Sequence, residues 1–111
     1  MKEFRRYIDD KTFVNYRVGE NAKENHLIID DADKDDWWFH IDGHPSAHCI
    51  IERVDIDTLD MEFASDLIRK NSKFKEQKNL RFCFTQVKNL KKTKNPGEVK
   101  LLKKPEIYVL P

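Results

Sequence analysis

Strand-favouring residues open the chain in two short groups. In "FRRYIDDKTFVNYRVG" (4–19), Phe4 and Tyr7 form one group and Phe13, Tyr16 and Val18 the other, with Asp9, Asp10 and Lys11 as a turn between them. Gly19 breaks the second strand. The following "ENAKENHLII" (20–29) predicts a short helix with Ala22, His26 and Ile29 on one side. "DDADKDD" (30–36) reads as a solvated acidic loop. "WWFHI" and "AHCIIERV" are strands flanking "DGHPS", where Gly43 and Pro45 supply the turn, so 37–54 is a hairpin.

Residues 58–70, "TLDMEFASDLIRK", carry the clearest helical period. Leu59, Phe63, Ala64, Leu67 and Ile68 make an apolar stripe. Asp57 is placed to cap the first free amides, Asp60 suits the positive end of the helix dipole, and Arg69 and Lys70 suit the other end. "LRFCFTQV" (80–87) and "EIYVL" (106–110) are strands, and "KNLKKTKNPGE" (88–98) is a basic loop closed by Pro96 and Gly97. Strands with one long helix inserted late define an α+β fold: a single compact domain over 1–111, a largely antiparallel sheet, and helices at about 58–70 and 20–29. A second core does not fit in 111 residues.

Charge changes this picture. The formal net charge is only +1, yet residues 30–68 carry 12 acidic and 2 basic side chains, a net of −10. Residues 69–104 carry 13 basic and 2 acidic, a net of +11. Segregated charge can select a polyanion in a nearly neutral protein, or its two halves can neutralise each other across the fold. The start "MKEFRRYIDD" has no apolar run, so no secretory signal is expected. No stretch approaches the roughly 18 apolar residues of a membrane span, so no membrane partner is expected either. Cys49 and Cys83 lie in apolar runs, which points to reduced, buried thiols and a cytoplasmic setting.

Candidate chemistry concentrates in "WWFHIDGHPSAHC" (37–49). His40, His44 and His48 fall four apart, but Gly43 and Pro45 exclude the helix that would gather them. On a hairpin His40 and His48 approach each other while His44 sits at the turn, which leaves no third ligand for zinc, so no metal or other cofactor is expected. Cys49 has apolar neighbours, which raise a thiol pKa and argue against a nucleophile. Lys88, Lys91, Lys92 and Lys94 fall within seven residues, with Asn89, Thr93 and Asn95 among them. Such a loop suits phosphates and sugars, while Trp37, Trp38 and Phe39 offer rings for stacking on bases.

The order "DWWFHIDGHPSAH", "FTQVKNLKKTKNPGEV" and a terminal "IYVLP" resembles the NFACT-R domain, the RNA-binding module of the NFACT proteins of ribosome-associated quality control. The resemblance runs from "TFVNYRVGENAKEN" to the last residue. The family pattern resembles G-R-N-x-x-Q-N, D-x-W-F-H, P-G-S-H and Y-T-Q-V-K-N-V-K-K. Here these fall on Gly19, Asn21 and Asn25; on Asp36, Trp38, Phe39 and His40; on Pro45 and His48; and on Thr85, Gln86, Lys88, Asn89, Lys91 and Lys92.

The sequence departs from that pattern in several places. Glu20 replaces an arginine, Ser46–Ala47 a Gly-Ser, and Phe84 a tyrosine, and the loop after Lys94 is shorter than in long bacterial forms. The other NFACT domains and the coiled coil are absent. The resemblance therefore implies a stand-alone RNA-binding domain without catalysis, contacting tRNA or ribosomal RNA in translation or quality control. Its expected contacts are Asn21, Asn25, Trp38, His40, His48, Thr85, Lys88, Asn89, Lys91, Lys92 and Lys94. Two alternatives stay open: a module docking on a ribosome or translation factor, and an RNA-modifying enzyme or subunit using His40 and His48.

Overall fold

The computed structural model describes residues 1–111. Its strands are β1 (Lys2–Tyr7), β2 (Phe13–Gly19), β3 (Trp37–Ile41), β4 (His48–Ile51), β5 (Leu80–Gln86), β6 (Leu90–Lys92), β7 (Val99–Leu101) and β8 (Glu106–Leu110). Its helices are α1 (Ala22–Asp30) and α2 (Thr58–Lys70). Six strands form one sheet in the order β1-β2-β4-β3-β5-β8, and every pairing is antiparallel. The α+β architecture is the one the sequence predicts. No helix is long and apolar enough to cross a membrane.

Strand alternation sorts the side chains into two layers. Val14, Tyr16, Val18, Phe39, Ile41, Cys49, Ile51, Phe82 and Phe84 pack on one side with Ala64 and Ile68 of α2. On the other side Trp38, Ile50 and Cys83 meet Ile28 and Ile29 of α1. Val87, Leu90, Val99 and Leu101 close over that smaller cluster. The domain is thus a sheet between a long helix and a lid made of α1 and the β6–β7 hairpin.

Helix α2 has the predicted bounds, and Phe63, Ala64, Leu67 and Ile68 of its predicted stripe meet the core, but its first turn departs from that stripe. Leu59, expected in the stripe, is 59% exposed, whereas Asp60 is fully buried. Asp57 accepts from the Asp60 amide at 2.9 Å and Asp60 returns the bond to the Asp57 amide at 3.0 Å, a reciprocal cap. The Asp60 carboxylate also receives Tyr16 Oη at 2.7 Å, Arg6 at 2.7 Å and Arg53 at 2.8 Å. Burial alone opposes its charge, yet these donors together hold its pKa below the ordinary carboxylate value. This cluster fixes the rotation of the first turn and sends Leu59 outward.

Three other expectations need correction. Helix α1 buries Asn25, Ile28 and Ile29, so its inner face is rotated from the predicted Ala22–His26–Ile29 line. Strand β4 ends at Ile51 instead of Val54, because the Arg53 amide turns back to the Ile51 carbonyl. The predicted basic loop is largely ordered: a 3-10 turn at Val87–Asn89 leads into the antiparallel pair β6–β7.

Candidate nucleic-acid interface

Strands β3 and β4 run antiparallel with Phe39 opposite Cys49, which brings His40 against His48 with ring centroids 4.8 Å apart and nearly perpendicular. Trp38, two residues before His40 on the same face, lies parallel to the His40 ring at 5.5 Å. Its indole N–H donates to Nδ1 of His48 at 3.1 Å. Burial pushes both imidazoles toward the neutral form. His40 is lowered, and His48 is lowered to about 3, first by burial and then by the neighbouring His40 and His26. His44 leaves this group at the turn and packs on Phe74 at 4.9 Å.

Trp38 is only 2% exposed. The open stacking platform expected of it is therefore corrected to a buried support beneath His40 and His48. Trp37 turns to the α2 side, where it packs on Phe84 and donates to the Val54 carbonyl at 2.7 Å.

The Gly19–Asn21–Asn25 motif builds the adjoining wall. Asn21 caps α1 by accepting from the Glu24 amide at 2.9 Å. Asn25 is buried, and its Oδ1 accepts from the His48 amide at 3.1 Å, tying α1 to the edge of β4. A Cβ on Gly19 would lie 2.4 Å from that same oxygen. Only glycine lets the helix approach so closely.

The β6–β7 tip then folds over α1. Gly97 has φ of +81°, and a Cβ there would lie 2.9 Å from the Cα of Ala22. His26 Nε2 donates to the Glu98 carbonyl at 2.9 Å. Between this tip and the β3–β4 turn lies a cleft of about 530 Å³, bordered by Trp38, His40 and His48 on one side and Pro96, Gly97 and Glu98 on the other. A smaller recess of about 260 Å³ continues from His40, Pro45 and His48 past Asn21 and Asn25. No three His, Cys, Asp or Glu side chains gather where they could hold a metal ion.

The lysines divide into two sets. Lys88 pairs with Asp35 at 3.1 Å, and Lys92 pairs with Asp30. The two charge-segregated segments therefore meet and partly neutralise each other, as one of the sequence readings allowed. Lys91 and Lys94 are exposed and join no ion pair with the acidic loop. Lys91 stands directly across from Lys100 in the β6–β7 register. Like charges facing each other across strands are unfavourable until an anion joins them. Thr85 is buried and its Oγ1 accepts from Asn89 Nδ2 at 3.0 Å, so these two brace the start of the hairpin.

Lys100, Pro96, Gly97 and Glu98 are members of this surface that sequence reasoning missed. The signal was present in "VKL" (99–101), where Lys100 alternates with two apolar residues as on a half-buried strand.

Fold and site together define a sheet domain with a lysine-bearing hairpin beside a histidine-walled cleft. The chain belongs to the NFACT-R family: the model of the NFACT protein RNA binding domain matches residues 3–104. Among solved structures it is similar to the C-terminal part of the fibronectin/fibrinogen-binding protein of Streptococcus suis. The TM-score is 0.83 at 23% identity, over 96% of this chain and 43% of that one. That likeness concerns the fold. The chain spans less than half of the solved chain it matches. No curated protein matches it.

Proposed function

We propose that the domain binds RNA, setting phosphates against Lys91, Lys94 and Lys100 and an unpaired segment along the His40–His48 cleft. The observation that carries this reading is the Lys91–Lys100 pair, two like charges held face to face on a hairpin whose tip also forms the cleft wall. Membership of an RNA-binding family supports it. Asn21, Asn25, Trp38, Thr85 and Asn89 act in this reading as the frame of the surface, since their polar atoms are engaged within the protein. Lys88 and Lys92 contribute less, because Asp35 and Asp30 offset their charge.

The target we propose is tRNA or ribosomal RNA, in translation or ribosome-associated quality control in the cytoplasm, where the free buried thiols of Cys49 and Cys83 remain reduced. The role is one of binding without catalysis. His48 is held neutral far below the range of a general base at pH 7, and burial pushes the Cys49 thiol up, away from nucleophilic character. Docking on a protein through the acidic loop has less support, since Asp30 and Asp35 face lysines and Asp36 is buried.

Sequencing of RNA crosslinked to the protein in cells tests this reading, with Lys91, Lys94 and Lys100 intact or changed to Gln. Enrichment of tRNA or rRNA that disappears in the substituted protein is expected. Equal recovery from both proteins would contradict it.

A further inference from the structure

We propose that the cleft between the β3–β4 turn and the β6–β7 tip receives the base of one unpaired guanine, an inference that rests on the RNA-binding reading above. The cleft volume of about 530 Å³ lies within the range of sites that enclose a small ligand, about 300–1,000 Å³. The residues that line it include two acidic ones, Asp42 and Glu98, and no lysine or arginine. A phosphate would be repelled there. The free lysines stand outside on the hairpin, so backbone and base are sorted to different surfaces.

Both carboxylates retain acceptor capacity. Asp42 meets Arg81 only at 3.8 Å, and one Glu98 oxygen accepts from Asn95 Nδ2 at 3.0 Å. A carboxylate accepts about four hydrogen bonds in all. Asp42 stands on the histidine wall, two residues after His40, and that same wall offers a donor: Nδ1 of His48 is occupied by the Trp38 N–H, so the remaining proton sits on Nε2. A ligand suited to this lining presents donors to the carboxylates and an acceptor to the imidazole.

Guanine does this along a single edge. Its N1–H and N2–H are adjacent donors that match the two oxygens of one carboxylate, and O6 lies beside them as acceptor. Uracil brings two carbonyls for one N–H. Adenine and cytosine set an unprotonated ring nitrogen beside their amino group, so one lone pair faces the carboxylate. Unpaired bases are read in this way, by hydrogen bonds to their exposed edges. Val99 and Pro96 supply apolar wall for the ring.

The test uses uridine heptamers whose central residue is U, G, A or C, with affinity followed by fluorescence anisotropy. The heptamer with central G should bind about tenfold tighter than heptauridine. Asp42→Asn with Glu98→Gln should abolish that preference. The same double substitution should tighten heptauridine, because it removes negative charge facing an RNA, so the two ligands move in opposite directions. Titration with guanosine monophosphate should shift the Trp38 indole N–H resonance saturably, and uridine monophosphate should not.

Four heptamers bound equally would overturn the guanine site and leave the RNA-binding reading standing, as would a G preference that survives the double substitution. Failure to bind any RNA would remove both.

Discussion

The Trp38 indole N–H and Nδ1 of His48 are 3.1 Å apart, joined diagonally across β3 and β4. Indole nitrogen only donates, so this bond fixes His48 as the neutral tautomer protonated on Nε2. It also links the buried floor of the cleft to its wall. Trp38→Phe leaves Nδ1 buried without its donor and should cost about 1–3 kcal/mol. Trp38→Ala adds the lost packing against Ile28, Ile29 and Ile50 and should cost on the order of 3–5 kcal/mol. Urea unfolding checks both; a Trp38→Ala protein of wild-type stability would contradict the placement of this side chain.

The same burial makes stability depend on pH. His48 is lowered to about 3 and His40 is lowered as well, both chiefly by burial. An unfolded imidazole has a pKa of about 6.5, so below that pH the unfolded chain takes up protons that the folded chain refuses. Stability is therefore present above about pH 6.5 and lost as pH falls toward the folded value. Each group contributes a slope of up to roughly 1.4 kcal/mol per pH unit. His48→Gln should flatten the fall of the urea midpoint between about pH 6 and pH 4. An unchanged slope would show that His48 is protonated in the folded state.

Asp60 acts in a separate, lower window. Its folded pKa is depressed, so its contribution is present above the ordinary carboxylate value of about 4 and lost as pH falls below it. Asp60→Asn removes the charge that Arg6 and Arg53 share and replaces one of the two acceptor oxygens with an NH2 donor, leaving one oxygen for Arg6, Tyr16 and Arg53. The expected cost is about 3 kcal/mol at neutral pH, the low end for breaking a buried ion pair, because both arginines keep some contact with water. Leu59→Ala should change stability by less than about 0.5 kcal/mol, as exposed substitutions do. Equal effects of the two substitutions would return Leu59 to the core.

Gly19 carries a prediction of its own. Gly19→Ala places a methyl group 2.4 Å from Asn25 Oδ1 and 2.7 Å from the Asn25 amide. The helix must move away from the end of β2, and overpacking of this kind costs typically about 1–3 kcal/mol. Because Asn25 holds the His48 amide, the His48 backbone resonance should move as well. A silent Gly19→Ala would mean that α1 does not press on the end of β2.

Much of the fold was legible because its signals are local. The bounds of α2 follow from Asp57, which caps it, and from its apolar period. The approach of His40 to His48 follows from strand alternation and the Gly43 turn. What was hidden depends on partners far along the chain. Asp60 gains its burial from Arg6 and Tyr16, 54 and 44 residues away. Strands β6 and β7 have three residues each, so the alternation of "VKL" is a single short signal, and their apolar positions gain partners only in Trp38 and Ile50. Trp38 itself carries no mark in the sequence that separates a stacking surface from a buried support.

The most direct test of the proposed function is the salt dependence of binding to single-stranded RNA. If Lys91, Lys94 and Lys100 each neutralise one phosphate, log K falls with log salt at a slope of about −2. Changing these three to Gln should bring the slope close to zero, while changing Lys88 and Lys92, which face Asp35 and Asp30, should leave it near the wild-type value. A slope that survives the triple substitution, or one lost with Lys88 and Lys92 instead, would contradict the account.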